Sequence, residues 1–412
     1  MGPDLGAPDA FPAFPAPSGR IGTGRLRVAV VTESFLPTLN GVTTSVCRVL
    51  EHLRARGHDA LVVCPGPAPE SFAGARVVTL PAVSYRQFPV GVPTPGLRRA
   101  LAAFAPDVVH LASPFVLGAA GVAAAERLGV PSVAVFQTDI AGFARSHHLG
   151  ALSPVAWRWI RWLHDRADVT LAPSAATMTD LAQHGVPRLG LWRRGVDGRR
   201  FNPQRRDGTG VRDLRARLAP DGEVLVGYIG RLAPEKQVHR LAALAGIDGV
   251  RLVIGGDGPA RRSVERSLGR PTSDAATFLG QLDGDPLADT FAALDVFVHT
   301  GTEETFGQTI QEALASGVPV VAPACGGPLD LVRPGDNGLL YAPGDEAGLR
   351  AAVTSLVGDP DLRERMGLAA RDGVAGRTWE TLGDQLVAHY RRAIAADRRQ
   401  RPRDRAGRGQ AA

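Results

Sequence analysis

The chain has 412 residues, 44% of them apolar, with a formal net charge of +6. That length exceeds one ordinary core and suits two domains of about 150–200 residues each, and no run approaches the ~18 consecutive apolar residues of a membrane-spanning helix. Three cysteines, Cys47, Cys64 and Cys325, without a CxxC pair point away from a disulfide framework or zinc site and fit a reducing cytoplasm.

Residues 1–24 lack a basic stretch followed by an apolar run and read as a Pro/Ala-rich disordered leader. The first domain, 25–195, opens with an apolar run over Arg27–Thr32, a loop with Pro37, Asn40 and Gly41, and a helical pattern over Val42–Ala55. Further buried-strand patterns follow at Ala60–Cys64, Val77–Leu80, Val108–Leu111, Val133–Phe136 and Val169–Ala172, with Ala- and Leu-rich helical segments between several of them. A polar, Gly/Pro/Arg-rich stretch over 196–221 reads as the hinge between domains. The second domain, 222–378, restarts the pattern with strands at Val224–Ile229, Leu252–Ile254, Thr277–Leu279, Val296–His299 and Val318–Ala322. A closing helix occupies 379–396, and a basic disordered tail 397–412. From Asp397 onward six Arg face two Asp, a charge of +4 that leaves about +2 for the body, so the charge does not mark a nucleic-acid partner. Strands apolar on both faces and alternating with helices predict an α/β fold, two Rossmann-like doubly wound domains with parallel sheets. Ligands of such sheets lie at the carboxyl ends of the strands, which directs attention to the loops there.

Two of those loops carry concentrated chemistry. After the strand Val224–Ile229 comes Gly230-Arg231-Leu232-Ala233-Pro234-Glu235-Lys236. Of 47 basic residues, Lys236 is the only lysine. A compact ammonium kept where guanidinium is otherwise the rule suits a phosphate. Two cations at about 4 Å from a leaving diphosphate are worth about 4 kcal/mol each at an intermediate dielectric, so no metal is required to stabilise the departing charge. After the strand ending near His299 comes Glu304-Thr305-Phe306-Gly307-Gln308-Thr309-Ile310-Gln311-Glu312. A helix starting at Gly307 would turn its free N–H groups toward the cleft, a ready phosphate seat. From Gly307 to Glu312 it would rise ~7.5 Å, comparable to the reach from a diphosphate to a ribose. Gly256 and Gly258 belong to a flanking Gly-Asp-Gly-Pro loop that lacks the dinucleotide fingerprint. Asp283-Gly284-Asp285 reads as a helix N-cap rather than a metal motif. Trp157, Trp159 and Trp162, interleaved with Arg158 and Arg161, read as partial core packing, with a membrane-surface patch as the alternative.

The E-x7-E pair, the upstream G-R-x4-K, the G-D-G-P loop and the segments SFLPTLNGVTTSV, QTDIAGFA and RRGVDGRRFNP resemble retaining family 4 glycosyltransferases of the GT-B fold, and among them bacterial GDP-mannose-dependent α-mannosyltransferases that modify lipids. The resemblance runs from about Arg25 to Tyr390. It implies catalytic roles for Arg231, Lys236 and Glu304, the cations on the diphosphate and the carboxylate on the donor sugar. It implies donor contacts from Gly41, Gly230, Gly256, Gly258, Leu279, Phe306, Gly307, Gln308, Thr309 and Glu312, the last at the ribose. Asn40, Gln137 and Asp139 fall on the acceptor side. Many family members carry His where this chain has Gln137, which cannot act as a base. The resemblance further implies a nucleoside-diphosphate sugar as donor with no cofactor or metal, a lipid or glycan acceptor, peripheral contact with the inner membrane face and no nucleic acid. A sugar-nucleotide epimerase of the same fold and a non-enzymatic two-domain binding protein are the rival readings.

Overall fold

The computed structural model describes residues 24–38, 40–85, 88–112, 115–137, 153–269 and 276–408. In the first domain ten strands appear: β1 (Arg27–Val31), β2 (Asp59–Pro65), β3 (Ser71–Phe72), β4 (Ala75–Leu80), β5 (Ala82–Tyr85), β6 (Phe88–Gly91), β7 (Val108–Leu111), β8 (Ser132–Val135), β9 (Val169–Ala172) and β10 (Leu189–Leu191). Eight form one sheet in the order β10-β9-β8-β7-β1-β2-β4-β3, and β5 with β6 makes a separate hairpin. Within the eight-stranded sheet only the two-residue β3 runs antiparallel to its neighbour. Helices α1 (Gly41–Ala55), α2 (Pro95–Phe104), α3 (Val116–Leu128), α4 (Ser153–Arg166) and α5 (Ala175–Gln183) connect the strands. β7 and β8 are buried along their whole length, as expected when helices cover both faces.

The second domain repeats the plan with six parallel strands: β11 (Val224–Ile229), β12 (Val250–Gly255), β13 (Thr277–Gly280), β14 (Val296–Val298), β15 (Val320–Pro323) and β16 (Gly338–Tyr341). Their order is β13-β12-β11-β14-β15-β16. Its helices are α6 (Thr209–Leu218), α7 (Arg261–Ser267), α8 (Gly284–Ala293), α9 (Gln308–Ala315), α10 (Pro328–Leu331), α11 (Glu346–Gly358) and α12 (Pro360–Val374). The chain moves outward from β11 to β12 and β13, then returns to the other side of β11 with β14. The crevice between β11 and β14 is therefore this sheet's switch point, and that between β1 and β7 its counterpart in the first domain.

The long helix α13 (Trp379–Arg408) crosses back: Leu382, Leu386, Val387 and Tyr390 join the first-domain core with Val46, Leu50 and Trp192. Trp192 donates its indole N–H to the carbonyl of Leu382 at 2.8 Å, and the Tyr390 hydroxyl meets His110 Nδ1 at 2.7 Å.

The structure adds to two expectations. The 196–221 stretch, expected as the hinge, is folded: a 3-10 turn over Pro203–Asp207 and helix α6 lie there, and Val196, Phe201, Val211 and Ala219 sit in the second-domain core. Arg205 on Asp289 and Arg206 on Asp295 tie it down, so its polarity reflects ion pairs made on one side of a packed segment. The helix expected to stop at 396 continues to Arg408, running past Pro402.

Candidate active site

Strand β11 delivers Gly230–Lys236 and β14 delivers His299–Gly307 to the same switch point, since the two strands are neighbours. Lys236 Nζ lies 2.6 Å from Glu304 Oε2. The other carboxylate oxygen of Glu304 accepts the N–H of Gly307 at 3.2 Å. One carboxylate thus joins the lone lysine to the start of α9. Burial alone would raise the Glu304 carboxyl, but Lys236, His299 and the backbone N–H of Phe306 outweigh it and draw it down to about 2. His299, enclosed at the end of β14 with its Nε2 3.8 Å from Glu304, is pushed by burial down to about 4 and is neutral. Arg231 pairs with Glu235 on the same loop while keeping half its side chain exposed, and the buried Tyr228 donates its hydroxyl to the Arg231 carbonyl at 3.1 Å.

Gly307 is the N-cap of α9 with φ 96, a left-handed conformation open to glycine, and the helix it starts spans Gln308–Ala315. Glu312, one turn in, is reached by Gln308 Nε2 at 3.2 Å. Burial pushes its carboxyl up to about 7, against the pull of Gln308, Arg194 and Arg200. Thr309 occupies the first turn half-buried. The Phe306 side chain belongs to the second-domain core, so only its backbone is available to a ligand.

Gly230, Gly256 and Gly258 serve loop packing. At Gly256, with φ 123, a Cβ would collide with the carbonyl of Gly230, and Leu232 donates its N–H to Asp257 O at 2.9 Å. The two loops after β11 and β12 are stacked directly, which holds Arg231 in place. Leu279 lies in the edge strand β13, two strands from β11.

Asn40 is the N-cap of α1. Its Oδ1 accepts the N–H groups of Val42 and Thr43 at 3.0 Å each, and its Nδ2 donates to Ser34 Oγ at 2.7 Å. Both ends of that amide are engaged in building the loop. Gly41 faces Arg194, whose Nη1 would lie 2.8 Å from a Cβ there. Gln137 is buried after β8, donating to Ala112 O at 3.1 Å and accepting from Arg194 Nη2 at 2.6 Å. Asp139 lies outside the described residues. Asp283 is the N-cap residue of α8, without a side-chain capping bond, and Asp285 pairs with Arg205 at 3.1 Å. Among the described residues no three His, Cys, Asp or Glu side chains cluster as metal ligands.

The domains meet around this site. Thr177 donates to the carbonyl of Thr305 at 3.0 Å, and Asp330 takes the N–H of Ala175 at 3.0 Å and Arg193 at 3.1 Å. Between them lies a cavity of about 260 Å³ lined by Phe136 and Thr177 on one side and Thr302, Glu304 and Gly326 on the other. Arg194, His299 and Asp330 were not singled out in advance as site residues. Arg194 lies within the RRGVDGRRFNP segment, a signal too general to assign it a task.

Residues 39–200 match the family model described as Glycosyltransferase Family 4, and residues 212–373 the one described as Glycosyl transferases group 1. A GDP-mannose-dependent alpha-mannosyltransferase of Mycolicibacterium smegmatis is 52% identical over 375 residues, covering 89% of this chain and 97% of that protein. The chain belongs to glycosyltransferase family 4. A protein of the same description from Corynebacterium glutamicum is 44% identical over 383 residues, covering 91% of each chain. Among solved structures, the sucrose-phosphate synthase of Thermosynechococcus elongatus superposes with a TM-score of 0.74 at 22% identity, covering 90% of this chain and 100% of that one. Anabaena HepE in complex with UDP and glucose gives 0.72 at 22% identity, covering 89% of this chain and 99% of that one. The fold is GT-B. This glycosyltransferase therefore transfers a sugar, and the epimerase and binding-protein readings are not favoured.

Proposed function

We propose that this family member is a retaining α-mannosyltransferase that uses GDP-mannose, needs no metal and acts on a lipid or glycan acceptor. The observation that carries the reading is the Lys236–Glu304–Gly307 constellation at the second switch point. A diphosphate entering there meets the ammonium, the start of α9 and Arg231, which together neutralise its charge as it leaves. Glu304, ionised down to about pH 2, is freed to accept hydroxyls of the donor sugar. Glu312, one turn further, takes the ribose.

On this reading the bond from the anomeric carbon to the β-phosphate oxygen breaks and one to the acceptor oxygen forms on the same face. The acceptor's proton passes to the departing phosphate. Closure of the domains over the cleft excludes water that would otherwise hydrolyse the donor. The relatives' names support the donor. The test is transfer from GDP-mannose to a diacylglycerol-based glycolipid in the presence of EDTA, with the product's anomeric configuration read by NMR. An α-linked product formed at an undiminished rate is expected. An inverted product, or activity abolished by EDTA and restored by magnesium, contradicts the reading.

A lipid acceptor would place the first domain at a membrane surface. On α4, Trp159 and Trp162 stack with ring centroids 5.1 Å apart, 39% and 43% exposed, beside exposed Arg158 and Arg161. Trp157 instead stacks on His184 against the core. Aromatic faces flanked by guanidinium groups suit an anionic lipid interface.

A further inference from the structure

Arg194 departs from the pattern of its neighbours. It lies three residues past the edge strand β10, where the first domain ends. Its guanidinium meets Gln137 Oε1 at 2.6 Å and the backbone edge of Gly41, both in the first domain. Its carbonyl accepts Gln311 Nε2 at 3.0 Å, from α9 of the second. Among the described residues no carboxylate comes within ion-pair distance of it, whereas Lys236 and Arg231 each have one. Next to it, the carbonyl of Gly195 accepts Gln308 Nε2 at 3.3 Å, and the same amide reaches Glu312 at 3.2 Å. These contacts set Arg194 against the first turn of α9, the turn that the proposed reading gives to the diphosphate and ribose.

We propose that Arg194 is a third diphosphate-binding cation, supplied from the domain junction, and that Gln137 is its positioning residue. The inference rests on the reading of the site as a nucleoside-diphosphate-sugar site. Gln137 suits the task because its amide is oriented from both ends. Nε2 donates to Ala112 O at 3.1 Å, which turns Oε1 toward Arg194. A neutral acceptor fixes the guanidinium without cancelling its charge, leaving Nη1 for the ligand. A carboxylate at 137 would hold Arg194 more firmly but consume that charge. The departure from His at this position thereby acquires a purpose.

The test compares binding of GDP, GMP and guanosine by calorimetry to the wild type, Arg194→Met and Gln137→Glu, with thermal melting of each. If Arg194 touches the diphosphate, Arg194→Met weakens GDP by roughly 10–100-fold, the range of a charge-assisted phosphate contact, and leaves guanosine unchanged. Gln137→Glu is expected to melt no lower than the wild type while weakening GDP by about 10-fold. A purely structural pair would show the opposite split, with GDP affinity kept in every variant that stays folded. Equal loss for GDP and guanosine in Arg194→Met also overturns the proposal. Wild-type protein that binds no GDP would instead refute the donor reading itself. Inorganic pyrophosphate, the probe for that case, still reports on Arg194, and affinity unchanged by Arg194→Met rejects the assignment.

Discussion

At the switch point of the second domain, opposite charges are already matched: Lys236 with Glu304 and Arg231 with Glu235. At that of the first, Asn40 is neutral and spends its hydrogen bonds on its own loop, the Glu33 carboxylate is taken up by the N–H groups of Gly91 and Leu117, and Gln137 holds Arg194 without a counter-charge. On the proposed reading the first arrangement is a socket held in shape by temporary counter-ions until a ligand's phosphates displace them. On the same reading the second is a wall that shapes space for an acceptor. One sheet plan therefore supports two tasks, and the difference lies in what the loops carry.

Removing the acid that organises the charged side gives the largest expected effect. Glu304→Gln is expected to lower kcat by about 100–1,000-fold, as for loss of a transition-state electrostatic partner, with GDP affinity changed far less. Steady-state kinetics with a donor titration checks this, and equal losses in kcat and GDP affinity would erase the distinction between sugar and phosphate ends. The contacts joining the two sides come next. Asp330 is 6% exposed and satisfies both Ala175 N–H and Arg193. Asp330→Ala is expected to reduce kcat/KM by about 10-fold by loosening closure, visible as a larger radius of gyration in solution scattering. An unchanged radius would show that these contacts do not hold the domains together.

Stability against pH separates the two acids of the socket. Glu304 has a folded pKa of about 2, below its usual 4.5, so its stabilisation is present above that usual value and is lost as pH falls toward 2. Glu312 is raised to about 7, so its stabilisation is present below 4.5 and is lost as pH rises through 7. Glu312→Gln is accordingly expected to be more stable than the wild type at pH 8 by about 1–3 kcal/mol, with no advantage at pH 4. Chemical denaturation at the two values checks it; an advantage independent of pH would rule out burial of the charge as the cause. The smallest effect belongs to the first domain's outer surface. Paired Trp159→Ala and Trp162→Ala are expected to weaken binding to anionic vesicles by about 1–2 kcal/mol of lost apolar contact without altering transfer to a soluble acceptor. Unchanged flotation would remove α4 from the interface.

Much of the fold was legible because buried parallel strands are unbroken apolar runs, and β7, β9 and β11 fall on the predicted residues. The short edge strands β10 and β16 were not legible, since Leu189–Leu191 and Gly338–Tyr341 contain glycine and too few residues for a pattern. The site was readable where chemistry departs from background, above all in the lone Lys236. Arg194 was not readable, because one arginine among 46 carries no signal until the fold sets it beside Gln137 and Gly41. Asn40 shows the converse: a conspicuous polar residue whose side chain is used in capping a helix.

The account depends most on Lys236 exchanging Glu304 for the donor's diphosphate. Titrating GDP into the wild type, Lys236→Arg and Lys236→Met by calorimetry tests that exchange. The account predicts losses of roughly 10-fold for Lys236→Arg, whose planar fork does not fit the seat of a compact ammonium, and about 100-fold for Lys236→Met. GDP affinity unchanged in folded Lys236→Met would contradict it.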